Sequence, residues 1–231
     1  MNAIINLGNP RKDMSAIIRS TLGTCSTQAL KITGIDVFRA NGILITSPTY
    51  GAGMTLDALC EMTDRSLIGS DDRALFVGSM GSLSGKIKKG EIVIPDPIGC
   101  AYYGFDGMWL EQDEDLLNAL STLLAEGGIE AITYKHGSSF AVFDPHTDHI
   151  NYTNTLYDEQ VLGIDCGEVF IGIDFATRHQ MKGGAVLYCS DSPDAHITDI
   201  GEEEFANRAF DLDLFLNQLA VAILNSGDPR T

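Results

Sequence analysis

The sequence has no apolar run that approaches the roughly 20 residues a membrane-spanning helix needs. Its N-terminus also lacks the basic segment and apolar core of a secretory signal, so we expect neither a signal peptide nor a membrane partner. Basic side chains are few: 15 lysines and arginines stand against 32 aspartates and glutamates, for a formal net charge of −17. Because such a chain repels phosphate backbones, we expect no nucleic-acid partner. A small substrate is still allowed, since a few local bases can reverse the potential within a cleft.

The cysteines show neither C-x-x-C pairs nor the spacing of a zinc site. Their number is odd and their neighbours in sequence are apolar, which predicts reduced, mostly buried thiols in a cytoplasmic protein. The five are Cys25, Cys60, Cys100, Cys166 and Cys189. One polar segment offers other potential ligands at Asp144, His146, Asp148 and His149. Its spacing favours a solvated loop, so no metal is predicted.

Length and composition are those of one folded domain. The 231 residues are 44% hydrophobic and 20% charged, an ordinary globular balance that allows a sizeable core. No internal repeat or low-complexity linker divides the chain, so we predict a single α/β domain over residues 1–231. The patterns predict strands at 3–7, 30–38, 42–46, 73–83, 91–95 and 129–134 and helices at 15–22, 56–67, 116–124 and 211–224.

The most informative stretch is a further helix followed by a strand. Residues 163–176 carry apolar side chains at helical spacing, Gly183-Gly184 is a helix-ending signal, and residues 185–189 form a short apolar run. A helix of about 15 residues and a strand of about seven both span roughly 22 Å. The helix start and the strand end should therefore meet at one edge of a sheet, where α/β sheets bind ligands. This places the carboxylates of Glu168 and Asp191 in one cleft.

Glycine-containing loops follow three of the predicted strands. Gly8 precedes two bases and suits an anion, although a plain strand-to-helix turn explains it equally well. A Gly-x-Gly sequence ending at Gly53 opens a helix, where backbone N–H groups approach an anion or a sugar hydroxyl; a tight turn is again an equal explanation. The stretch 73–83 begins as a strand and runs into the third loop, which contains Ser79 and Gly81. Separately, Asn41-Gly42 predicts a hairpin with Arg39-Ala40-Asn41-Gly42 as its turn. Arg39 is therefore expected in the turn.

Taken in order, these motifs resemble the nucleoside phosphorylase and nucleosidase superfamily. Gly8-Asn9-Pro10 is similar to its Gly-Asp-Pro loop, Gly51-Ala52-Gly53 to its Gly-Met-Gly loop, and residues 78–83 to its Gly-Thr-x-Gly-Gly/Ser-Leu loop. Glu168 matches the ribose-binding glutamate and Ser190-Asp191 the terminal Ser-Asp, with the family's spacing of 22 residues between Glu168 and Asp191. The resemblance implies a single-domain three-layer α/β sandwich around a central mixed, twisted sheet. It also implies a homo-oligomer (dimer, trimer or hexamer), with Arg39 reaching a neighbouring subunit's site.

The implied activity is cleavage of the N-glycosidic bond of a nucleoside, with a purine favoured. Asp191 would act as general acid at the purine N7 while Glu168 binds the ribose hydroxyls. The loop of Ser79 and Gly81 would lie near the phosphate or water nucleophile, and burial beside Glu168 should raise the pKa of Asp191. The remaining substrate-binding candidates share their place in these motifs or an aromatic ring suited to stacking on a base: Gly8, Lys12, Gly53, Gly167, Ser190, Phe140 and Phe143.

Three positions depart from the family pattern. Phe76 stands where the phosphorylases carry an arginine, Lys12 replaces a second phosphate-binding arginine, and Gly167 stands where a methionine would pack under the sugar. A lysine cannot reproduce the bidentate grip of arginine on phosphate. Phosphate therefore remains a possible co-substrate, no cofactor is expected, and water is favoured as the nucleophile. Two alternatives stay open: a biosynthetic or lyase-type enzyme acting on a non-nucleoside substrate, and a non-catalytic nucleoside-binding module.

Overall fold

The computed structural model describes residues 1–8, 14–22, 30–83, 86–100, 108–138, 161–191 and 202–226, with Met14, Asp191 and residues 202–207 described by their backbone alone. Within these ranges the chain forms ten strands and five helices. The strands are β1 (Asn2–Asn6), β2 (Leu30–Ile32), β3 (Ile35–Ala40), β4 (Ile43–Thr46), β5 (Arg73–Ser82), β6 (Ile92–Cys100), β7 (Met108–Leu110), β8 (Ile132–Ser138), β9 (Gly163–Asp165) and β10 (Lys182–Asp191). The helices are α1 (Met14–Leu22), α2 (Gly51–Asp64), α3 (Glu114–Glu126), α4 (Glu168–Arg178) and α5 (Glu202–Asn225).

All ten strands belong to one mixed sheet. Its first half runs in the order β2-β3-β4-β1-β5, with β1 parallel to both β4 and β5. Beyond β1 the sheet closes into a ring. Strand β5 pairs with β10 along one of its edges, and the last residues of β5 pair with β9 along the other edge. Strands β6 and β8 complete the ring between β10 and β9, and β7 adds to β6. The predicted central mixed sheet is confirmed.

Helices cover both faces of this sheet. Side chains alternate along β1, so that Ala3 and Ile5 join one core cluster and Ile4 joins the other. The first cluster contains the apolar residues of α2 and α4, and the second those of α1, α3 and α5. The predicted three-layer sandwich is therefore confirmed. Among the described residues, no helix combines the length and the apolar character that a bilayer crossing requires.

The predicted strand 30–38 is divided where the chain turns. Thr33 and Gly34 have positive φ angles of 46° and 81° and separate β2 from the antiparallel β3. The hairpin between β3 and β4 forms as predicted, since Asn41 and Gly42 adopt φ angles of 50° and 78°. Arg39 does not lie in the turn, however: it is an exposed residue of β3 whose Cα pairs with Leu44. The two residues of the turn suffice to reverse the chain, which leaves Arg39 in the ladder.

The predicted helix over residues 163–176 is wrong at its start. Gly163–Asp165 form β9, held between β5 and β8, and α4 begins at Glu168. A strand of three residues is too short to show alternation in a sequence, and its single Ile164 continues the apolar pattern of the helix that follows. Helix α2 shows the opposite error, because it begins at Gly51 rather than at residue 56.

The Gly183-Gly184 pair does not end a helix. Helix α4 ends at Arg178, and both glycines lie inside β10. A Cβ on Gly183 would lie 2.8 Å from the Ala176 Cβ, and one on Gly184 would lie 3.0 Å from Leu75 Cδ2. Glycine is needed here because the strand approaches its neighbours too closely for a side chain.

The prediction that the cysteines are mostly buried is confirmed in part. Cys100 and Cys189 are buried and Cys166 is partly buried, whereas Cys60 is exposed on α2. This residue is exposed because α2 turns Ala58, Leu59 and Met62 toward the core. Cys25 lies outside the described residues.

Replacing Gly172 by alanine is expected to destabilise the fold, although alanine is the better helix former. Gly172 lies within α4, and a Cβ there would lie 2.6 Å from Cζ of the fully buried Phe76. Overpacking costs about 1–3 kcal/mol, against the ~1 kcal/mol that alanine contributes in a helix interior. Denaturant unfolding measures the difference.

The matched control is Gly53→Ala in α2, where a Cβ would meet nothing within 4 Å. This variant should be as stable as the parent or more stable. If Gly172→Ala were equally benign, the close packing between β5 and α4 would not be what requires glycine.

Candidate active site

The ends of three strands bring the backbone of Gly81 and Asp191 and the start of α4 to one edge of the sheet. The Cα of Gly81, near the end of β5, pairs with that of Asp191 at the end of β10 and with that of Ile164 in β9. Strand β9 reaches α4 through only two residues, Cys166 and Gly167. The backbone of Asp191 and the start of α4 therefore flank the end of β5 on opposite sides. The predicted lengths of this helix and strand were wrong, because α4 has 11 residues and β10 has 10. The side chain of Asp191 lies outside the description.

The loop after β1 joins this edge. The Gly8 N–H donates to the carbonyl of Thr49 at 2.9 Å, and a Cβ on Gly8 would lie 3.5 Å from Ser79 Oγ. Gly8 has a φ of +103°, a conformation that favours glycine. The structure thus brings together two residues that the sequence assigned to separate motifs.

Glu168 is the buried carboxyl of the site. It is the first residue of α4, is only 3% exposed, and accepts a hydrogen bond from the Gly51 N–H at 2.8 Å through its Oε1 atom. A second contact runs from the Ala52 N–H to the Cys166 carbonyl at 3.3 Å. The N-termini of α2 and α4 therefore meet at Glu168, and both carry a partial positive charge that favours an anion.

The environment of Glu168 makes it titrate near neutrality. Burial contributes most and raises its pKa from the ordinary 4.5 to about 7, with a further rise from the negative charge of Asp165. The N–H groups of Gly51 and of Glu168 itself act in the opposite direction. Near pH 7 the carboxyl can therefore take up or release a proton, which an exposed glutamate cannot do at that pH.

Asp165 is the second buried carboxyl, and sequence reasoning missed it. Its Oδ2 accepts from the Val169 N–H at 2.7 Å, its Oδ1 accepts from the Gly167 N–H at 3.3 Å, and the Ser138 hydroxyl donates to Oδ1. Burial by itself raises the pKa of Asp165, but its interactions with His136, Ser138 and Val169 outweigh burial, and the net effect lowers it. Asp165 is therefore ionised beside Glu168.

The start of α4 is thus capped by Asp165 and Ser138. Ser138 Oγ accepts the Phe170 N–H at 3.3 Å, next to the Val169 N–H that Asp165 accepts. Glu168 is therefore not needed to cap α4, because these two side chains satisfy the first free N–H groups of the helix. A sequence signal for this arrangement exists in β8, where Tyr134, His136 and Ser138 alternate with Lys135 and Gly137.

Gly167 has a structural reason to be glycine. It precedes α4 with a φ of +90°, in the left-handed region that other residues adopt only with strain. The family's methionine at this position is therefore replaced by a residue that suits the local backbone.

Tyr50 is a further neighbour of Glu168 that the sequence did not single out. Burial raises the pKa of Tyr50, and Cys166 and Glu168 raise it further, so the Tyr50 hydroxyl lies near both residues.

The other predicted residues are placed less closely or not at all. Gly53 is exposed in the first turn of α2, and the Ser190 hydroxyl donates to the Met80 carbonyl at 2.9 Å. Phe76, at the position of the family's arginine, is fully buried in the core between β5 and α4. Lys12, Phe140, Phe143 and the polar segment at 144–149 lie outside the described residues. In the part of the chain that is described, no three histidine, cysteine or acidic side chains are grouped as a metal site.

Neither a protein-family model nor a curated protein matches this sequence. Solved structures match it over nearly the whole chain. A 5′-methylthioadenosine/S-adenosyl homocysteine nucleosidase of Campylobacter jejuni superimposes with a TM-score of 0.76 at 9% identity, over 96% of this chain and 98% of that one. The purine nucleoside phosphorylase of Toxoplasma gondii, in complex with immucillin-H, gives 0.73 at 17% identity, over 96% and 91%. A futalosine hydrolase of Helicobacter pylori gives 0.72 at 13% identity, over 97% and 98%. The chain has the fold of the nucleosidases and nucleoside phosphorylases, as its motifs predict.

Proposed function

We propose that this protein is an enzyme that cleaves the N-glycosidic bond of a nucleoside, with a purine as the favoured base and water as the favoured nucleophile. The observation that carries the proposal is Glu168, a buried carboxyl held between two helix N-termini. It lies at the sheet edge where the backbone of Asp191 ends β10. The fold supports the same activity class, since nucleosidases and nucleoside phosphorylases share it.

The chemistry requires two acidic groups with different tasks. Cleavage of a glycosidic bond passes through an oxocarbenium-like state, which a nearby carboxylate stabilises and a proton on the leaving base assists. We assign the first task to Glu168, binding the ribose, and the second to Asp191, protonating the base at N7. The electron pair of the broken C–N bond stays with the base, and the nucleophile adds to the sugar carbon.

The choice of water over phosphate rests on Phe76. A phosphate site needs cations, and arginine is the residue that binds phosphate through two parallel hydrogen bonds. At this position the chain buries an aromatic ring against Gly172 of α4 instead. The futalosine hydrolase fold neighbour is a hydrolase, so hydrolysis is compatible with this architecture.

A second candidate keeps the fold and the pocket but not the nucleoside substrate. Phe76 and Gly167 both depart from the family pattern at positions where the resemblance implies contacts with phosphate and sugar, and these departures favour a repurposed enzyme acting on another small molecule. A non-catalytic nucleoside-binding module is the third possibility. These three differ in their behaviour toward nucleosides, so one set of measurements separates them.

The experiment follows base release from inosine, adenosine, uridine and 5′-methylthioadenosine, each with and without phosphate. We expect release from at least one purine nucleoside without phosphate, and no acceleration when phosphate is added. Release that depends on phosphate would establish phosphorolysis and contradict the argument from Phe76. No release together with protection against thermal unfolding by a nucleoside would identify a binding module. No release and no protection would favour the repurposed enzyme.

A further inference from the structure

A buried row of polar side chains lies behind Glu168 and has no part in the proposed bond cleavage. Strand β8 directs Tyr134, His136 and Ser138 to one face, and all three are buried, with His136 and Ser138 at 0% exposure. The Tyr134 hydroxyl and His136 Nδ1 are 2.5 Å apart. Polar groups so deeply buried are costly unless each of them has a partner.

One atom of this row points at Asp165. His136 Nε2 lies 3.4 Å from Asp165 Oδ1 without the alignment of a hydrogen bond, and within the described ranges this nitrogen has no hydrogen-bond partner. A fully buried imidazole nitrogen in that position would be left unpaired if it did not serve the carboxylate. The Ser138 hydroxyl donates to the same Oδ1 atom from the same strand. Two side chains of β8 therefore converge on one oxygen of Asp165.

Asp165 connects this row of side chains to the candidate active site. Its other contacts are the N–H groups of Gly167 and Val169, which flank Glu168 in sequence. The row therefore holds both the backbone on either side of Glu168 and a negative charge next to its carboxyl. In the described part of the chain, the groups that interact with the Glu168 carboxyl include Asp165 from β9, Tyr50 from the turn before α2 and the Gly51 N–H at the start of α2.

We propose that Tyr134, His136 and Ser138 are positioning residues which act through Asp165 to set the orientation and the charge of the Glu168 carboxyl. The assignment rests on the proposed function, because it gives this array a role in the same site. In the resting arrangement Tyr134 donates to His136 Nδ1, and Nε2 carries the proton that faces Asp165. With Asp165 held ionised, ionisation of Glu168 would place two negative charges side by side, so Glu168 keeps a proton to near-neutral pH.

The first test is the tautomer of His136 in the unmodified full-length protein. Nitrogen-15 NMR of labelled histidine distinguishes a protonated from an unprotonated ring nitrogen, and through-bond correlation assigns the signal to His136. We expect Nε2 to be protonated at pH 7. An unprotonated Nε2 would turn a lone pair toward the Asp165 carboxylate and would overturn the proposal. This measurement needs no variant and no turnover.

The second test is the titration of Glu168, followed by carbon-13 NMR of labelled glutamate with Glu168→Gln for assignment. In the parent protein the midpoint should lie near neutrality, and Asp165→Asn should lower it by about one pH unit or more, because it removes the neighbouring charge. Asp174→Asn is the matched control, since it removes a carboxylate from α4 that pairs with Arg178 instead. This control should leave the midpoint unchanged.

An equal midpoint in Asp165→Asn and the parent would overturn the proposal, as would an equal shift in the Asp174→Asn control. If Asp165→Asn does not fold, an ordinary glutamate midpoint in the parent protein would still overturn it. Failure of the proposed function gives a different pattern: the tautomer and the midpoint stay as expected while no nucleoside is cleaved. The two proposals can therefore fail separately.

Discussion

Replacing Glu168 by glutamine is expected to stabilise the protein at pH 8 while nearly abolishing turnover. The pKa of Glu168 is raised in the fold to about 7, so the folded state binds this proton more tightly than the unfolded chain does. Its contribution to stability is then fully present below the unfolded value of about 4.5 and is lost as the pH rises through 7. Glutamine has the shape of the protonated form and no charge to bury.

The expected difference is on the order of 3 kcal/mol in favour of Glu168→Gln at pH 8, and close to zero at pH 4.5. Urea unfolding of the variant and the parent at both pH values measures it, and comparing the two proteins cancels the other titrating groups. Turnover should fall about 10²–10³-fold, because a neutral amide cannot stabilise a cationic sugar as a carboxylate does.

Glu130→Gln is the matched control for this effect, since Glu130 is exposed in the segment before β8. Its effect on stability should stay within about 0.5 kcal/mol at both pH values. A Glu168→Gln variant that is less stable than the parent at pH 8 would show that the carboxylate is a structural anchor for the start of α2 rather than a buried charge held at a cost.

Replacing Asp191 by asparagine is expected to lower kcat by about 10²–10⁴-fold while KM changes little, since general acid catalysis contributes in that range. Asparagine keeps the size of the side chain but cannot deliver a proton to the leaving base. The measurement compares a purine nucleoside with a nitrophenyl riboside. Nitrophenolate leaves without being protonated, so the variant should retain near-parental activity on that substrate.

This pair of substrates makes the assignment of Asp191 falsifiable. Equal losses on both substrates would mean that Asp191 supports binding or folding rather than proton transfer. Full activity on both would remove it from the mechanism. The backbone pairing of Asp191 with Gly81 places the residue at the site edge, and its role as the acid is the proposal under test.

The layers of the fold could be predicted from sequence because they depend on local periodicity. Strand β4 and helix α1 are found within one residue of their predicted positions, since each is a clear apolar pattern between turn signals. The loop predicted at Ser79 and Gly81 was wrong, because both residues lie within β5. The fold resemblance was predictable from five short motifs in order, and it is confirmed by structures of at most 17% identity in those reported above. The homo-oligomer stays a prediction.

What could not be predicted depends on contacts between distant segments. Gly183 and Gly184 carry a local signal for a helix end, but their cause is the closeness of Ala176 and Leu75, which only the folded chain creates. The predicted strand 129–134 stops before His136, because nothing in the neighbouring sequence reveals that β6 and β9 pair with β8 on either side of this residue. Asp165 was assigned to a helix and instead ends β9.

The most direct test of the central claim is a crystal structure with a nucleoside analogue whose base is linked through carbon and cannot be released. Our account predicts a Glu168 oxygen within about 2.6–3.2 Å of a ribose hydroxyl, and the Asp191 carboxyl within the same distance of N7. An analogue bound elsewhere, or one that lies at this edge and touches neither carboxyl, would contradict the account.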